Sequence, residues 1–245
     1  MDWIDEGIVI GARQHGEANA VLEVLTREHG RHLGLVRGGR SRRQRPVLQS
    51  GNVVKVEWKA RLSEHLGNYT VELLDARAAR SLDDAMALAG LSTLCALARL
   101  LPERDPHAAL CEAALIVLEH LEDAELWPSL LVRWEMALLD DLGFGLDLAA
   151  CAATGRGEEL IYVSPKSGRA VSREAGEPYR EKLLALPGFL RNGGGEGFES
   201  EGVLEGFALT GHFLRLYVFE PRGLAMPESR ERLVHSLRSR HVSRP

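Results

Sequence analysis

Arg37 to Arg45 reads Arg-Gly-Gly-Arg-Ser-Arg-Arg-Gln-Arg, five arginines in nine residues with no acid among them. A guanidinium stays charged at any physiological pH, grips phosphate through a planar fork and stacks on exposed bases, so the chemistry on offer is capture of a polyanion. Two glycines are expected to keep the backbone pliable there. The competing reading is a solvated loop, as runs of like charge often are. Lys55, Lys59 and Arg61 lie on or just after the next expected strand. They either extend the cationic track from Arg37, Arg40, Arg42, Arg43 and Arg45 or form a solvated strand face. Arg133 is the candidate for a second, partner-binding surface, facing a groove of the helical part.

Charge is unevenly distributed behind these residues. The chain of 245 residues carries a net charge of −5, yet residues 1–80 hold 13 Lys+Arg against 10 Asp+Glu and residues 81–245 hold 17 against 25. A basic N-terminal part and an acidic remainder suit different partners. Catalytic constellations do not appear. No glycine-rich stretch ends in Lys followed by Ser or Thr, so no nucleotide phosphate loop is expected. Gly193–Gly195 resembles a phosphate cradle in composition only, since Glu196 would repel an anion. The nine histidines show no i, i+4 pair flanking a Glu, and no carboxylates cluster for two metals. The expectation is a binding protein with no cofactor and no bound metal. Trp58 and Tyr69 fall on expected core faces, so base stacking has little support.

Three cysteines, Cys95, Cys111 and Cys151, have no close pairing and point to a reducing, cytoplasmic setting. The N-terminus lacks the pattern of a signal peptide, and no apolar run reaches the roughly 18 residues of a membrane span.

The elements that must position these residues give an α+β chain. Partial alternation predicts strands over 8–15, 20–27 and 31–37, then strands carrying Val54, Val56 and Trp58 and, after Leu66-Gly67-Asn68, Tyr69, Val71 and Leu73. Five strands in residues 1–80, with the basic insertion between the third and fourth, suit an OB-fold β-barrel, with an SH3-like barrel as the alternative. Gly11 and Gly34 are read as barrel corners. Residues 81–245 read as a helical domain. It opens with a cap among Ser81, Asp83 and Asp84, and has apolar stripes through Leu110–Leu121 and Leu131–Leu142. Arg133 and Glu135 are placed as surface charges. A small β-hairpin insert is expected near 146–176, a helix over Pro178–Leu186, a glycine-rich loop over Asn192–Gly206, a helix through Leu209, Phe213, Leu216 and Tyr217, and a last helix from Pro227. The final 18 residues hold five arginines and two acids, a tail that either extends the phosphate surface or is solvated.

Gly7-Ile8-Val9-Ile10, Arg13, Gly16-Glu17, Leu25 to Arg31 and Arg37 to Ser41, followed by Arg133-Trp134-Glu135, Leu142-Gly143-Phe144 and Cys151, resemble in order the bacterial RecO family of DNA repair proteins. The resemblance covers nearly the whole chain. It implies a DNA-binding recombination mediator that binds single- and double-stranded DNA in the cytoplasm, at the nucleoid, and anneals complementary strands. It further implies work with RecR, contact with the acidic C-terminal tail of single-strand-binding protein, and help in loading RecA. The reading from residues alone leaves a non-enzymatic adaptor open, its barrel and helical groove binding peptides. Some family members hold a four-cysteine zinc site. Its positions here correspond to Cys151, Thr154, Ser172 and Ala175, so three of four ligands are missing and no zinc is expected.

Overall fold

The computed structural model describes residues 1–191 and 200–242, and the chain divides into two compact units, Met1–Glu122 and Asp123–Pro245. The change from strand to helix expected at residue 80 falls inside the first unit.

That unit is built on five strands, β1 (Asp2–His15), β2 (Asn19–Thr26), β3 (Gly30–Val36), β4 (Val53–Lys59) and β5 (Asn68–Asp75). They close into a barrel in the order β1-β2-β3-β5-β4. Four neighbouring pairs are antiparallel, and the parallel contact of Leu35 on β3 with Asn68 on β5 shuts the wall. This Greek-key order is that of the OB fold and displaces the SH3-like alternative. β1 starts well before residue 8 because it serves two neighbours. Asp2–Ile8 pairs with β4 and Gly7–His15 with β2, with a register shift between Val9 and Gly11. The expected corner at Gly11 is therefore a β-bulge, which bends a strand and increases its twist. Gly34 has another reason. A Cβ there would lie 2.3 Å from the Tyr69 ring, so the glycine seats that ring inside the barrel.

β4 alternates as its sequence indicates, with Val54, Val56 and Trp58 in the barrel core. β3 alternates too. His32, Gly34 and Val36 face in, while Leu33 and Leu35 are half-buried. Leu73 on β5 is exposed. A short helix α1 (Arg77–Arg80) leads to α2 (Ala85–Ala98) and α3 (Ala108–Glu119). Asp84 caps α2, its carboxylate accepting from Met86 N–H at 2.8 Å and Ala87 N–H at 3.2 Å. Both longer helices pack on the barrel. The Cys95 thiol donates to the Val9 carbonyl and the Cys111 thiol to the Leu25 carbonyl, each at 3.7 Å. Burial pushes both thiols up to about 12, so they behave as small apolar side chains.

In the second unit, α4 (Trp127–Asp141) buries Leu131, Trp134 and Leu138 as its period requires. β6 (Leu160–Val163), β7 (Ala170–Ser172) and β8 (Leu184–Ala185) make a three-stranded sheet with β6 central, and the turn helix α5 (Arg173–Gly176) follows β7. The helix expected over Pro178–Leu186 is instead a 3₁₀ segment, Glu177–Lys182, that runs into β8. Of the expected loop Asn192–Gly206, residues 192–199, with the Gly193–Gly195 run, lie outside the described residues. From Ser200 the chain is helical, in α6 (Ser200–Phe213). A π-helical turn, Leu214–Phe219, continues it, and α7 (Glu228–Val242) completes the unit. The π turn rotates the stripe, so Leu214, Val218 and Phe219 are buried while Leu216, expected inside, is exposed.

Candidate nucleic-acid interface

The arginine stretch follows β3 directly, and its backbone is held rather than pliable. Gly38 N–H donates to Asn19 Oδ1 at 3.0 Å, and Arg40 N–H donates to the Ala18 carbonyl at 3.0 Å. These bonds tie it to the β1–β2 turn. Successive turns then follow, with Ser41 N–H donating to the Gly38 carbonyl and Gln44 and Arg45 N–H to that of Ser41. Leu48 plugs into the barrel core. Behind it, the Asn52 amide donates to the Pro46 and Val47 carbonyls and its Oδ1 accepts from Ala78 N–H. Both glycines meet geometric demands. Gly38 has φ +65°, and a Cβ on Gly39 would lie 2.8 Å from the Ala20 Cβ. All five arginines are exposed.

Arg40, Arg42 and Arg45 line an open groove of about 850 Å³ together with Arg13, Gln14 and Gln49. Arg13 was not among the site residues read from charge runs. It stands alone in sequence on β1, and only the barrel brings it beside the loop. Arg40 also donates to the Glu17 carbonyl at 2.9 Å, which aims it. Arg37 and Arg43 do not line the groove, and the Arg37 guanidinium donates to Asn68 Oδ1 at 3.3 Å. The β4 cations sit among acids. Lys55 is opposite Glu6 on β1 and Glu72 on β5, and Lys59 is opposite Asp2 and pairs with Glu57 at 2.5 Å. Arg61 is exposed in the β4–β5 connection.

An OB fold commonly takes nucleic acid on the face of its second and third strands. Here that face is obstructed along β2, which is buried over nearly its whole length. Ala20, Leu22 and Val24 point into the barrel, while Val21, Glu23 and Leu25 are buried on the other side. Glu23 holds Arg99 at 2.8 Å and pairs with Arg31, whose Nε donates to the Leu101 carbonyl at 2.7 Å. The loop groove is thus the accessible cationic surface that the barrel builds.

The aromatic residues of this unit are elsewhere. Trp3, Trp58 and Tyr69 pack together with His29 and His32 at one end of the barrel. His32 is 3% exposed. Its Nδ1 lies 3.0 Å from the Leu33 carbonyl and 3.2 Å from the Tyr69 hydroxyl. Burial, helped by the positive charge of Arg104, brings its pKa down to about 4, and burial pushes the Tyr69 hydroxyl well above the usual phenol range.

In the second unit, Arg133 is exposed, but its guanidinium donates to the Phe189 carbonyl at 2.6 Å and lies 5.9 Å from that ring's centroid. Glu135, expected on the surface, is fully buried. It accepts from Arg230 through both carboxylate oxygens, each at 2.8 Å, and from the Thr210 hydroxyl at 2.5 Å. One arginine of the basic tail is therefore internal. Of the others described, Arg232 pairs with Glu228 and Arg240 with Glu125, while Arg238 lines a second groove. That groove, about 540 Å³, runs beside α6 and α7 with Phe207, Met226 and Val234 as apolar lining, Arg215 and Arg238 as cations and Glu231 as an acid.

Cys151 is buried, and its sulfur accepts from Ser172 N–H at 3.3 Å. Burial raises the thiol's pKa, but hydrogen bonds from Ser172 and Thr154 outweigh it and bring the group down to about 6. The chemistry of Thr154, Ser172 and Ala175 does not fit Zn²⁺, and no group of three or more metal-binding side chains occurs among the described residues. No helix among the described residues is long and apolar enough to cross a membrane.

An OB barrel with a cationic loop groove, followed in sequence by a helical unit with a small sheet, defines an α+β protein in two units. The models described as Recombination protein O N terminal and Recombination protein O C terminal match residues 1–77 and 82–224. A DNA repair protein RecO of Mesorhizobium japonicum is 54% identical over 244 residues, covering 100% of this chain and 96% of the relative. Those of Methylorubrum populi and Sinorhizobium medicae are 57% and 52% identical, each covering 96% of this chain and 97% and 94% of their own length. The chain belongs to the RecO family of DNA repair proteins.

Proposed function

We propose that this protein is a non-enzymatic recombination mediator that holds DNA strands on the loop groove and promotes annealing of complementary strands. The observation that carries the reading is the groove itself: four arginines from two separate parts of the sequence line one open surface, on a barrel whose usual ligand face is obstructed. Bringing two strands together costs phosphate repulsion, and a dense row of guanidinium groups lowers that cost by replacing condensed counterions. Single- and double-stranded DNA both present the phosphates it needs. The finer role follows the family: cooperation with RecR, contact with the acidic tail of single-strand-binding protein, and loading of RecA in the cytoplasm at the nucleoid. For the tail, the groove beside α6 and α7 fits better than Arg133, because it pairs an apolar lining with exposed cations while Arg133 is engaged with Phe189.

The test is annealing of two complementary oligonucleotides followed by fluorescence quenching. The wild-type chain should accelerate it, and the variant with Arg13, Arg40 and Arg42 changed to Ala should lose most of the acceleration. A variant that anneals as fast as wild type would move the activity off the groove and favour the peptide-binding adaptor.

A further inference from the structure

We propose that the loop groove takes a nucleic-acid strand by its phosphates alone and leaves the bases unread and free to pair. The inference rests on the groove being the DNA site and goes further, because it fixes which part of the strand is recognised.

Sequence and structure carry it together. Residues 1–122 contain no Phe, and their Trp and Tyr residues are Trp3, Trp58 and Tyr69. All three rings are consumed by the barrel. Trp58 and Tyr69 are 2% and 5% exposed. Trp3 stacks at 5.7 Å on Trp58 and at 4.0 Å on His29, with interplanar angles of 18° and 8°. The groove lining contains no aromatic ring. Its polar groups are guanidinium groups, which suit phosphate, and the amides of Gln14 and Gln49, of which Gln14 donates to the Gly16 carbonyl at 3.0 Å. Single-strand sites that hold bases do so mainly by stacking them on aromatic side chains, to which arginine adds a weaker cation–π contribution. This groove lacks that platform.

The chemical class of ligand is therefore a phosphodiester chain whatever its bases or sugar. A strand held by its backbone keeps its Watson–Crick edges outward, the arrangement that annealing requires. A stacked strand would have to be unstacked first.

The experiment is competition, against a fluorescent oligothymidylate bound to the full-length chain, by three unlabelled strands of equal length: oligothymidylate, an abasic deoxyribose-phosphate strand, and an uncharged methylphosphonate oligothymidylate. Phosphate-only recognition gives an abasic competitor within about threefold of the normal strand and a methylphosphonate competitor at least roughly a hundredfold weaker. A single stacked base is worth roughly five- to hundredfold in affinity, so an abasic loss of about fivefold or more overturns the inference while leaving DNA binding in place. If neither charged strand binds, the DNA reading of the groove falls, and the inference with it. Changing Arg40 and Arg42 to Ala should weaken both charged strands by the same factor; a loss confined to the base-bearing strand counts against phosphate-only recognition.

Discussion

At the scale of single residues, His32 is the most informative side chain in the barrel. Its neutral form is favoured by burial, so its pKa of about 4 in the folded state lies below the ordinary 6.5. A depressed folded-state value means that the stabilisation is fully present above the unfolded value and is lost as pH falls from 6.5 towards 4. The shift corresponds to about 3 kcal/mol across that window. Urea unfolding of the wild type should show this loss between pH 7 and pH 4, and His32→Gln, whatever its starting stability, should show a flatter profile. Equal slopes would mean that the imidazole is not what acid attacks. The alternation of β3 sets His32, Gly34 and Val36 against Leu33 and Leu35, and the structure buries the first set. The ring enters because Trp3, Trp58 and Tyr69 give it an aromatic and hydrogen-bonding niche, and the glycine at 34 leaves room for Tyr69. None of those long-range neighbours is visible in the local pattern.

At the scale of elements, the second unit is cross-braced by Arg230 of α7 on Glu135 of α4 and on Thr210 and the Phe207 carbonyl of α6. Removing one member of a buried ion pair leaves the other charge uncompensated and costs about 3–5 kcal/mol. Arg230→Ala should therefore lower the unfolding midpoint strongly, whereas Arg232→Ala, on an exposed pair, should change stability by less than about 1 kcal/mol. Comparable losses from the two variants would contradict the brace. The helical periods around Leu110–Leu121 and Leu131–Leu138 were legible because each stripe repeats over several turns. The ion pair was not, since Glu135 and Arg230 are 95 residues apart and each looks like an ordinary surface charge in its own helix. On the same helices, binding of a short acidic peptide with an apolar C-terminal end should be weakened at least about tenfold by Arg238→Glu, because it reverses a charge on the groove's rim. A peptide that binds Arg238→Glu and wild type equally would remove that groove as the docking site.

At the scale of the whole molecule, a net charge of −5 conceals a local cationic groove. The arginine run was legible in sequence by its density. Its partner Arg13 was not, because β1 delivers it from another part of the chain, and neither was the coverage of β2 by the barrel's own helices. The charges on β4 looked like a continuation of the track, but the neighbouring strands set acids against them. The central claim is that Arg40, Arg42 and Arg45 hold phosphates, and the most direct measurement is the salt dependence of single-strand binding by fluorescence anisotropy. The log–log slope should be about −0.7 per phosphate neutralised, so changing these three to Ala should flatten it by roughly two units and weaken binding at low salt. An unchanged slope with unchanged affinity would contradict the claim and return the loop to a solvated insertion.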